Sequence, residues 1–138
     1  MSPAKARFLL DSDTCIYALS QRHPELSRRL DRLKPGEAAL AAAAYGELRF
    51  GAEKSQRRDD ALLRLAALTR VAPVLPLTDA AGARYGVIRA ELERAGTPIG
   101  GNDLWIAAQA LAEKLVLVSH NRREFARVRG LKLQDWME

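Results

Sequence analysis

Two short apolar runs that end abruptly in polar residues constrain the fold more than any other feature. The run at 115–118 reads LVLV and is followed by Ser119, His120 and Asn121. An earlier segment at 7–10 reads RFLL and ends in the polar cluster DSDT at 11–14. Uninterrupted apolar runs of this length are typical of strands in parallel sheets, which are buried on both faces. Both segments therefore predict buried strands.

Helical patterns lie between the predicted strands. Proline at position 24 suits the first turn of a helix that the LKPG sequence at 33–36 stops, and Thr78 can cap a long helix that ends before Gly96. Asn102 can cap another helix. Segment 71–77, with two prolines, predicts an edge strand, and 131–133 a last short strand. Alanine favours helix, so propensity predicts helix throughout 37–54. Strands that alternate with helices predict an α/β fold with right-handed crossovers.

Composition limits the kinds of protein and of site that this chain can form. Its 138 residues, 48% of them hydrophobic, can bury one core, so we predict a single domain over residues 1–138. No apolar run reaches the roughly 18 residues of a membrane span. The start, MSPAKARFLLDSD, meets carboxylates too early for a signal peptide, so we expect a cytoplasmic protein without a membrane partner. Cys15 is the only cysteine, which excludes an internal disulfide and a thiolate metal cage.

The charge of the chain favours a polyanionic partner. It has 22 Lys and Arg against 17 Asp and Glu, a net charge of +5, and arginine is much more frequent than lysine. Arginine pairs with phosphate through two parallel hydrogen bonds, and each neutralised phosphate releases counterions. Charge indicates a class of partner but no particular reaction.

The first candidates for a functional site are polar residues directly after buried strands. Open α/β sheets bind ligands beyond the carboxyl ends of their strands. Each such residue alone has a simpler interpretation as a helix cap or a solvated side chain, so only their combination carries an argument. The candidates are Asp11 and Asp13 after the first strand, Ser119 and Asn121 after the 115–118 run, Asp103 at a helix start, and Glu47 within the small apolar stretch at 41–51.

Three of these acids together predict a metal site. If Asp11, Glu47 and Asp103 converge, their charges repel, and a hard divalent cation allows all three to stay ionised. Oxygen ligands without cysteine or paired histidine suit Mg²⁺ or Mn²⁺ better than zinc. Such a cation can activate water and neutralise charge on a phosphate during attack. An anionic pocket on a basic protein is therefore typical of metal-assisted phosphodiester cleavage.

Four segments with distinctive local sequences span nearly the whole chain. They are LLDSDTCIYAL at 9–19, YGELRFGAEKS at 45–55, AGTPIGGNDLWIAAQAL at 95–111 and LVSHNRREFARVRGLKLQDW at 117–136. Together, and in this order, they resemble the PIN-domain ribonucleases, and among them the VapC-type toxins of bacterial toxin–antitoxin pairs.

The resemblance implies a fold, a site and an activity. The fold is a PIN-like three-layer α/β/α sandwich with a mostly parallel central sheet, in which a strand within 38–43 precedes the helix that bears Glu47. The activity is that of a Mg²⁺- or Mn²⁺-dependent endoribonuclease. Asp11, Glu47 and Asp103 match the family's three acidic positions and would be catalytic. Asp11 and Asp103 would be the principal metal ligands, and Glu47 would bind the metal or orient its water.

The resemblance also implies partners. These are a cognate VapB-type antitoxin that blocks the pocket, an RNA substrate such as initiator transfer RNA, and a second copy of the chain in a homodimer. Operator DNA would be bound only through the antitoxin. Arg49, Arg122 and Arg123 lie in the matching segments and are candidates for RNA binding, although a solvated basic face is the simpler interpretation.

This sequence departs from the family pattern at two positions. Asp13 stands where many relatives have asparagine, and whether it binds metal is left open. Asn121 stands where some PIN domains have a fourth acid; it can hold a metal-bound water or orient substrate, with Ser119 beside it, but it cannot act as a base.

Two other functions stay open at this point. One is a catalytically degenerate module that binds nucleic acid and acts by occlusion. The other is a metal-independent ribonuclease that uses His23 and His120, but the sequence indicates no partner for His120 and nothing that brings the two histidines together.

Overall fold

A computed structural model describes residues 5–137. The predictions of one domain over 1–138 and of no signal peptide at the start include residues outside this range, and both stay predictions. The order of elements is β1 (Phe8–Leu10), α1 (Ser12–Ser20), α2 (Pro24–Asp31), β2 (Ala38–Ala41), α3 (Ala42–Glu53), α4 (Arg58–Val71), β3 (Val74–Leu75), α5 (Asp79–Arg94), α6 (Gly101–Ala112), β4 (Val116–Val118), α7 (Arg122–Phe125) and β5 (Leu133–Gln134).

The five strands form one sheet in the order β3-β2-β1-β4-β5, and each pairing between them is parallel. Leu10 at the end of β1 pairs with Leu40 on one side and Val118 on the other. The chain first builds outward from β1 through β2 to β3 and then returns to β4 on the opposite side. Because such crossovers are right-handed, the two halves place their helices on opposite faces. The predicted three-layer α/β/α fold is confirmed.

The reversal of strand order lies between β1 and β4, and it determines where a site can form. At such a switch point the loops after two neighbouring strands diverge and leave a crevice at their carboxyl ends. Asp11 follows β1 directly and Ser119 follows β4 directly. The fold therefore brings two of the candidate segments to one crevice.

The core is built from the strands that the apolar runs predicted. Leu9 and Leu10 of β1 and Leu117 and Val118 of β4 are completely buried. Trp136 is buried with its ring edge-on to that of Phe8, with ring centroids 4.9 Å apart. It therefore supports the fold and is not available to a nucleic acid.

The alanine segment is where helix propensity alone fails. Residues 38–41, AALA, form β2, in which 38–40 pair with β1 and 40–41 pair with β3, while the helix begins only at Ala42. Small side chains suit a strand covered on both faces, and burial there outweighs the weak helix preference of alanine. The prediction of helix throughout 37–54 is wrong, and the strand that the family resemblance implied is confirmed.

α1 begins at Ser12, and Asp11 caps it. Two smaller boundaries differ from the sequence predictions. The last strand is Leu133–Gln134 and not 131–133. α6 is capped at Gly100, so Asn102 lies inside its first turn and is not the cap.

No helix within residues 5–137 has both the length and the apolar character that crossing a membrane requires.

Candidate active site

Asp11 is held rigidly at the end of β1. Its Oδ1 accepts a hydrogen bond from the backbone N–H of Thr14 at 2.9 Å, which caps α1, and Ser119 also hydrogen-bonds to its side chain. The Thr14 hydroxyl donates to the Val118 carbonyl at 3.2 Å and ties the start of α1 to β4. Burial raises the pKa of Asp11 more than these hydrogen bonds lower it. The carboxylate is thus placed in an environment that disfavours its charge.

Asp103 lies in the first turn of α6, just beyond the Gly100 cap, and approaches the same crevice from a different element. Burial raises its pKa to about 7, and a hydrogen bond with Glu124 and the negative charges of Glu124, Asp11 and Asp13 add to this effect. These contributions show that Asp103 shares its surroundings with the other three acids. Without a cation, Asp103 keeps a proton up to near neutral pH.

Glu124 is the acid that the sequence reasoning missed. It lies on α7 and hydrogen-bonds with Asp103, which holds the pKa of the Glu124 carboxyl below its usual range. The Asn121 amide lies between the two acids, with Nδ2 donating to Asp103 at 3.3 Å and to Glu124 at 3.1 Å. We call Asp11, Asp13, Asp103 and Glu124 the acid cluster. A fourth acid therefore lies beside Asp103. It is Glu124, which comes three residues after Asn121, the position where some PIN domains have their fourth acid.

One signal in the sequence could have indicated Glu124. Asparagine followed three residues later by glutamate has the spacing of a helix cap and its return partner. Asn121 does cap α7, with its side-chain oxygen accepting from the Glu124 N–H. The spacing NRRE at 121–124 thus marks a turn that points Glu124 back toward the helix start, where the crevice lies.

Glu47 is placed next to the acid cluster rather than inside it. Its side chain is exposed on α3, and Oε1 accepts a hydrogen bond from the Asn102 amide at 2.6 Å. Asn102 precedes Asp103, so this contact links Glu47 to the turn that carries Asp103. Over residues 5–137, no group of three His, Cys, Asp or Glu side chains lies close enough together to hold a metal ion, so the predicted convergence of Asp11, Glu47 and Asp103 on one point is not seen.

Comparison with known proteins shows to which family this chain, and therefore its crevice, belongs. The PIN domain family matches residues 8–131. The chain belongs to the PIN-domain family.

Within the family, the similarity is to VapC proteins. The tRNA(fMet)-specific endonuclease VapC of Shigella flexneri is 36% identical over 130 residues, which are 94% of this chain and 98% of that protein. The structure of VapBC-1 from nontypeable Haemophilus influenzae matches with a TM-score of 0.87 and 34% identity, over 95% of this chain and 98% of that one. DNA-bound VapBC from Salmonella typhimurium matches with a TM-score of 0.89 and 34% identity, over the same shares of the two chains.

The acid cluster of this PIN domain fits a divalent cation by its donor chemistry. All the ligand atoms it offers are carboxylate oxygens, which Mg²⁺ and Mn²⁺ prefer. The raised pKa of Asp103, about 7, agrees with this chemistry, because a proton there relieves the repulsion between neighbouring carboxylates, as a cation would.

Ser119 and Asn121 support the acids of this PIN domain rather than add charge. The Ser119 hydroxyl is buried, hydrogen-bonds to Asp11 and accepts from the backbone N–H of Asn121 at 2.9 Å. Asp13 is exposed at the edge of the cluster and contributes through its charge. The loop after β4 therefore orients Asp11 through Ser119, and Asp103 and Glu124 through Asn121.

The three candidate arginines differ in their surroundings. Arg49 hydrogen-bonds to Glu53 at 2.7 Å and to the Tyr45 hydroxyl at 3.3 Å on its own helix, so its charge is partly satisfied within α3. Arg122 and Arg123 are exposed in the first turn of α7, next to the cluster. Arg122 also lies 3.8 Å from Asp135, and the binding of RNA by any of the three stays a prediction.

Proposed function

We propose that this PIN domain is a metal-dependent endoribonuclease that acts as the toxin of a toxin–antitoxin pair. The observation that carries the proposal is the acid cluster at the strand switch point, on a chain that covers nearly all of its VapC relatives. A second support is the net charge of +5 on a chain that carries a cluster of acids, because the excess positive charge attracts an RNA backbone that the carboxylates alone would repel.

In this proposal Asp11 and Asp103 are the principal residues that would hold Mg²⁺ or Mn²⁺, and Glu124 completes the set. When bound, such an ion activates water for attack and neutralises charge that develops on the scissile phosphate. Glu47 is tied to Asn102 and would orient water at the rim. Asn121, which cannot act as a base, holds Asp103 and Glu124 in their relative positions.

The cleavage assay uses purified protein and unfractionated transfer RNA with Mg²⁺ or Mn²⁺. We expect site-specific cuts that EDTA abolishes and excess Mn²⁺ restores. Asp11→Asn should reduce the rate by at least about a hundredfold, whereas Asp31→Asn, an exposed residue at the end of α2, should cut normally. If the Asp11→Asn protein cuts RNA at a comparable rate, the metal-site proposal is wrong. If the wild type binds RNA, ignores chelators and cuts nothing, the chain acts by occlusion instead.

The substrate and partners belong to the same proposal. The Shigella flexneri relative is named for initiator transfer RNA, so we propose that RNA as the first substrate to test. Structural neighbours are VapBC complexes, and the Salmonella typhimurium one is bound to DNA. We therefore propose a cognate VapB-type antitoxin, operator binding only through it, and action in the cytoplasm. Expression of the toxin should arrest growth, and co-expression of the antitoxin should relieve it.

A homodimer is also proposed, and the face of α5 offers surface for it. Val87 is 54% exposed there, which leaves an apolar side chain available for such a contact. Light scattering of the purified protein should give twice the chain mass, and Val87→Glu should shift it toward the monomer.

A further inference from the structure

Asp135 is a buried carboxylate that the acid cluster does not use. Its side chain is only 1% exposed and lies directly after β5. A buried charge is costly unless it is hydrogen-bonded. Asp135 Oδ1 accepts from the Met137 N–H at 2.9 Å, and Oδ2 lies 2.8 Å from His120 Nδ1. Burial raises the pKa of Asp135, but these hydrogen bonds and the charge of Arg122 outweigh it and lower the pKa, so Asp135 stays ionised.

The ionised carboxylate determines which nitrogen of His120 carries hydrogen. A carboxylate only accepts hydrogen bonds, so Nδ1 must donate to it. In the neutral ring Nε2 is then left as an acceptor. The His120 side chain is 52% exposed, so its ring faces both Asp135 and solvent. This corrects the expectation that His120 has no partner, because the partner lies fifteen residues later in the chain.

Arg122 is oriented by the same oxygen. Its Nε lies 3.8 Å from Asp135 Oδ2, and its side chain is 59% exposed. One buried carboxylate thus hydrogen-bonds to an imidazole and forms a loose ion pair with a guanidinium. Because Arg122 makes no hydrogen bond to this carboxylate, its N–H groups can donate to a second anion.

The pair formed by His120 and Arg122 borders the acid cluster. Asn121 lies between the two residues, and its amide contacts Asp103 and Glu124. Ser119, on the other side of His120, hydrogen-bonds to Asp11. Successive residues of this loop therefore face alternate sides. Ser119 and Asn121 contact the acids, while His120 and Arg122 contact Asp135 and solvent.

We propose that His120 and Arg122, positioned by Asp135, bind one ribose–phosphate unit of RNA beside the acid cluster. Arg122 donates to the phosphate, and His120 Nε2 accepts a hydrogen bond from the ribose 2′-hydroxyl. The proposal rests on the proposed ribonuclease function and adds how this site distinguishes RNA from DNA, since the 2′-hydroxyl is the group that DNA lacks. His120 and Arg122 touch the substrate, and Asp135 is a positioning residue.

Binding without cleavage tests this proposal. A fluorescein-labelled RNA stem–loop and the DNA stem–loop of the same sequence are titrated with protein in EDTA at pH 8, and anisotropy gives both dissociation constants. His120→Ala should weaken RNA binding about threefold to tenfold, the usual effect of one hydrogen bond, and leave DNA binding unchanged. Arg122→Gln should weaken both equally and lower the salt dependence by about one phosphate contact. Asp135→Asn should act like His120→Ala but more weakly.

Matched variants separate this site from general effects. His23→Ala replaces the other histidine, which contacts Tyr17, and Arg94→Gln removes an exposed charge at the end of α5. Both variants should leave unchanged the ratio of the dissociation constant for RNA to that for DNA, which we call the RNA-to-DNA ratio. Asp135 is buried, so its variant is interpreted only if its melting temperature stays close to that of the wild type. The variants at His120 and Arg122 change exposed side chains and test the proposal even if Asp135→Asn does not fold.

Two results would overturn the proposal. One is an RNA-to-DNA ratio that His120→Ala does not change, including the case where that variant weakens only the antitoxin complex. The other is a ratio that falls equally in the His23→Ala control. Failure of the ribonuclease function itself is distinguishable, because it appears as absence of metal-dependent cleavage by the wild type and not as a change in this ratio.

Discussion

Replacing Asp103 with asparagine should make the metal-free protein more stable at alkaline pH, although it removes a catalytic acid. The fold raises the pKa of Asp103 from its ordinary value of 3.8 to about 7. A raised pKa means that folding favours the protonated acid, so its contribution to stability is present at low pH and is lost as pH rises through about 7. Asparagine has nearly the same shape as aspartate but cannot ionise, so the variant does not lose this stability as the pH rises.

The size of the effect follows from the pKa and the exposure of the group. The whole difference between 3.8 and about 7 corresponds to roughly 4 kcal/mol as an upper limit. Asp103 is only half-buried and shares its proton with Glu124, so solvent screening reduces the gain to about 1–2 kcal/mol. For a domain of this size that is a rise in melting temperature of about 3–10 °C.

Thermal melts in EDTA, followed by circular dichroism at pH 4.5 and pH 8, measure this directly. The Asp103→Asn protein should melt higher than the wild type at pH 8, and the difference should shrink at pH 4.5, where the wild-type acid is already protonated. Asp31→Asn, on an exposed site at the end of α2, should shift the melt little at either pH. Equal melting temperatures for wild type and Asp103→Asn at pH 8 would refute the electrostatic reasoning about the acid cluster.

Three further changes test other contacts of the site and the fold. Glu124→Gln removes the charge and proton sharing that raise the pKa of Asp103, so that pKa should fall in a carboxyl NMR titration and RNA cleavage should be lost; an unchanged pKa would contradict the contact. Asn121→Asp adds a carboxylate, so Mn²⁺ affinity by calorimetry should rise severalfold while the metal-free protein becomes less stable at pH 8. Gln109→Ala removes a buried amide that accepts from the Ala42 N–H and donates to the Leu75 carbonyl. It should cost about 1–3 kcal/mol in urea unfolding without changing metal affinity.

The position of the crevice could be predicted from the sequence because burial and topology leave strong signals. The apolar runs that became β1 and β4 are completely buried at their centres, and both end in polar residues. Once they are neighbouring parallel strands, their carboxyl ends must lie together. Asp11 and Ser119 thus come together for a reason that the pattern itself contains.

The membership of the acid cluster could not be predicted in the same way. Asp103 reaches the crevice from a helix, so its approach depends on how α6 packs and not on any local pattern. Glu47 was expected beside the metal, yet its contact is to Asn102, and that contact depends on the relative position of α3 and α6. Side-chain pairs between helices distant in sequence leave no periodicity to detect.

Glu124 shows most clearly why local patterns were insufficient. α7 has only four residues, and a helix of that length does not form by itself in water. It forms here because Asn121 caps it and because Phe125 is buried in the core behind it. The cap also fixes the Asn121 amide, since its oxygen accepts from the helix N–H and its nitrogen must then face Asp103 and Glu124. The NRRE spacing can therefore indicate the cap and the turn, but the proximity of Glu124 to Asp103 depends on tertiary contacts that residues 121–125 do not encode.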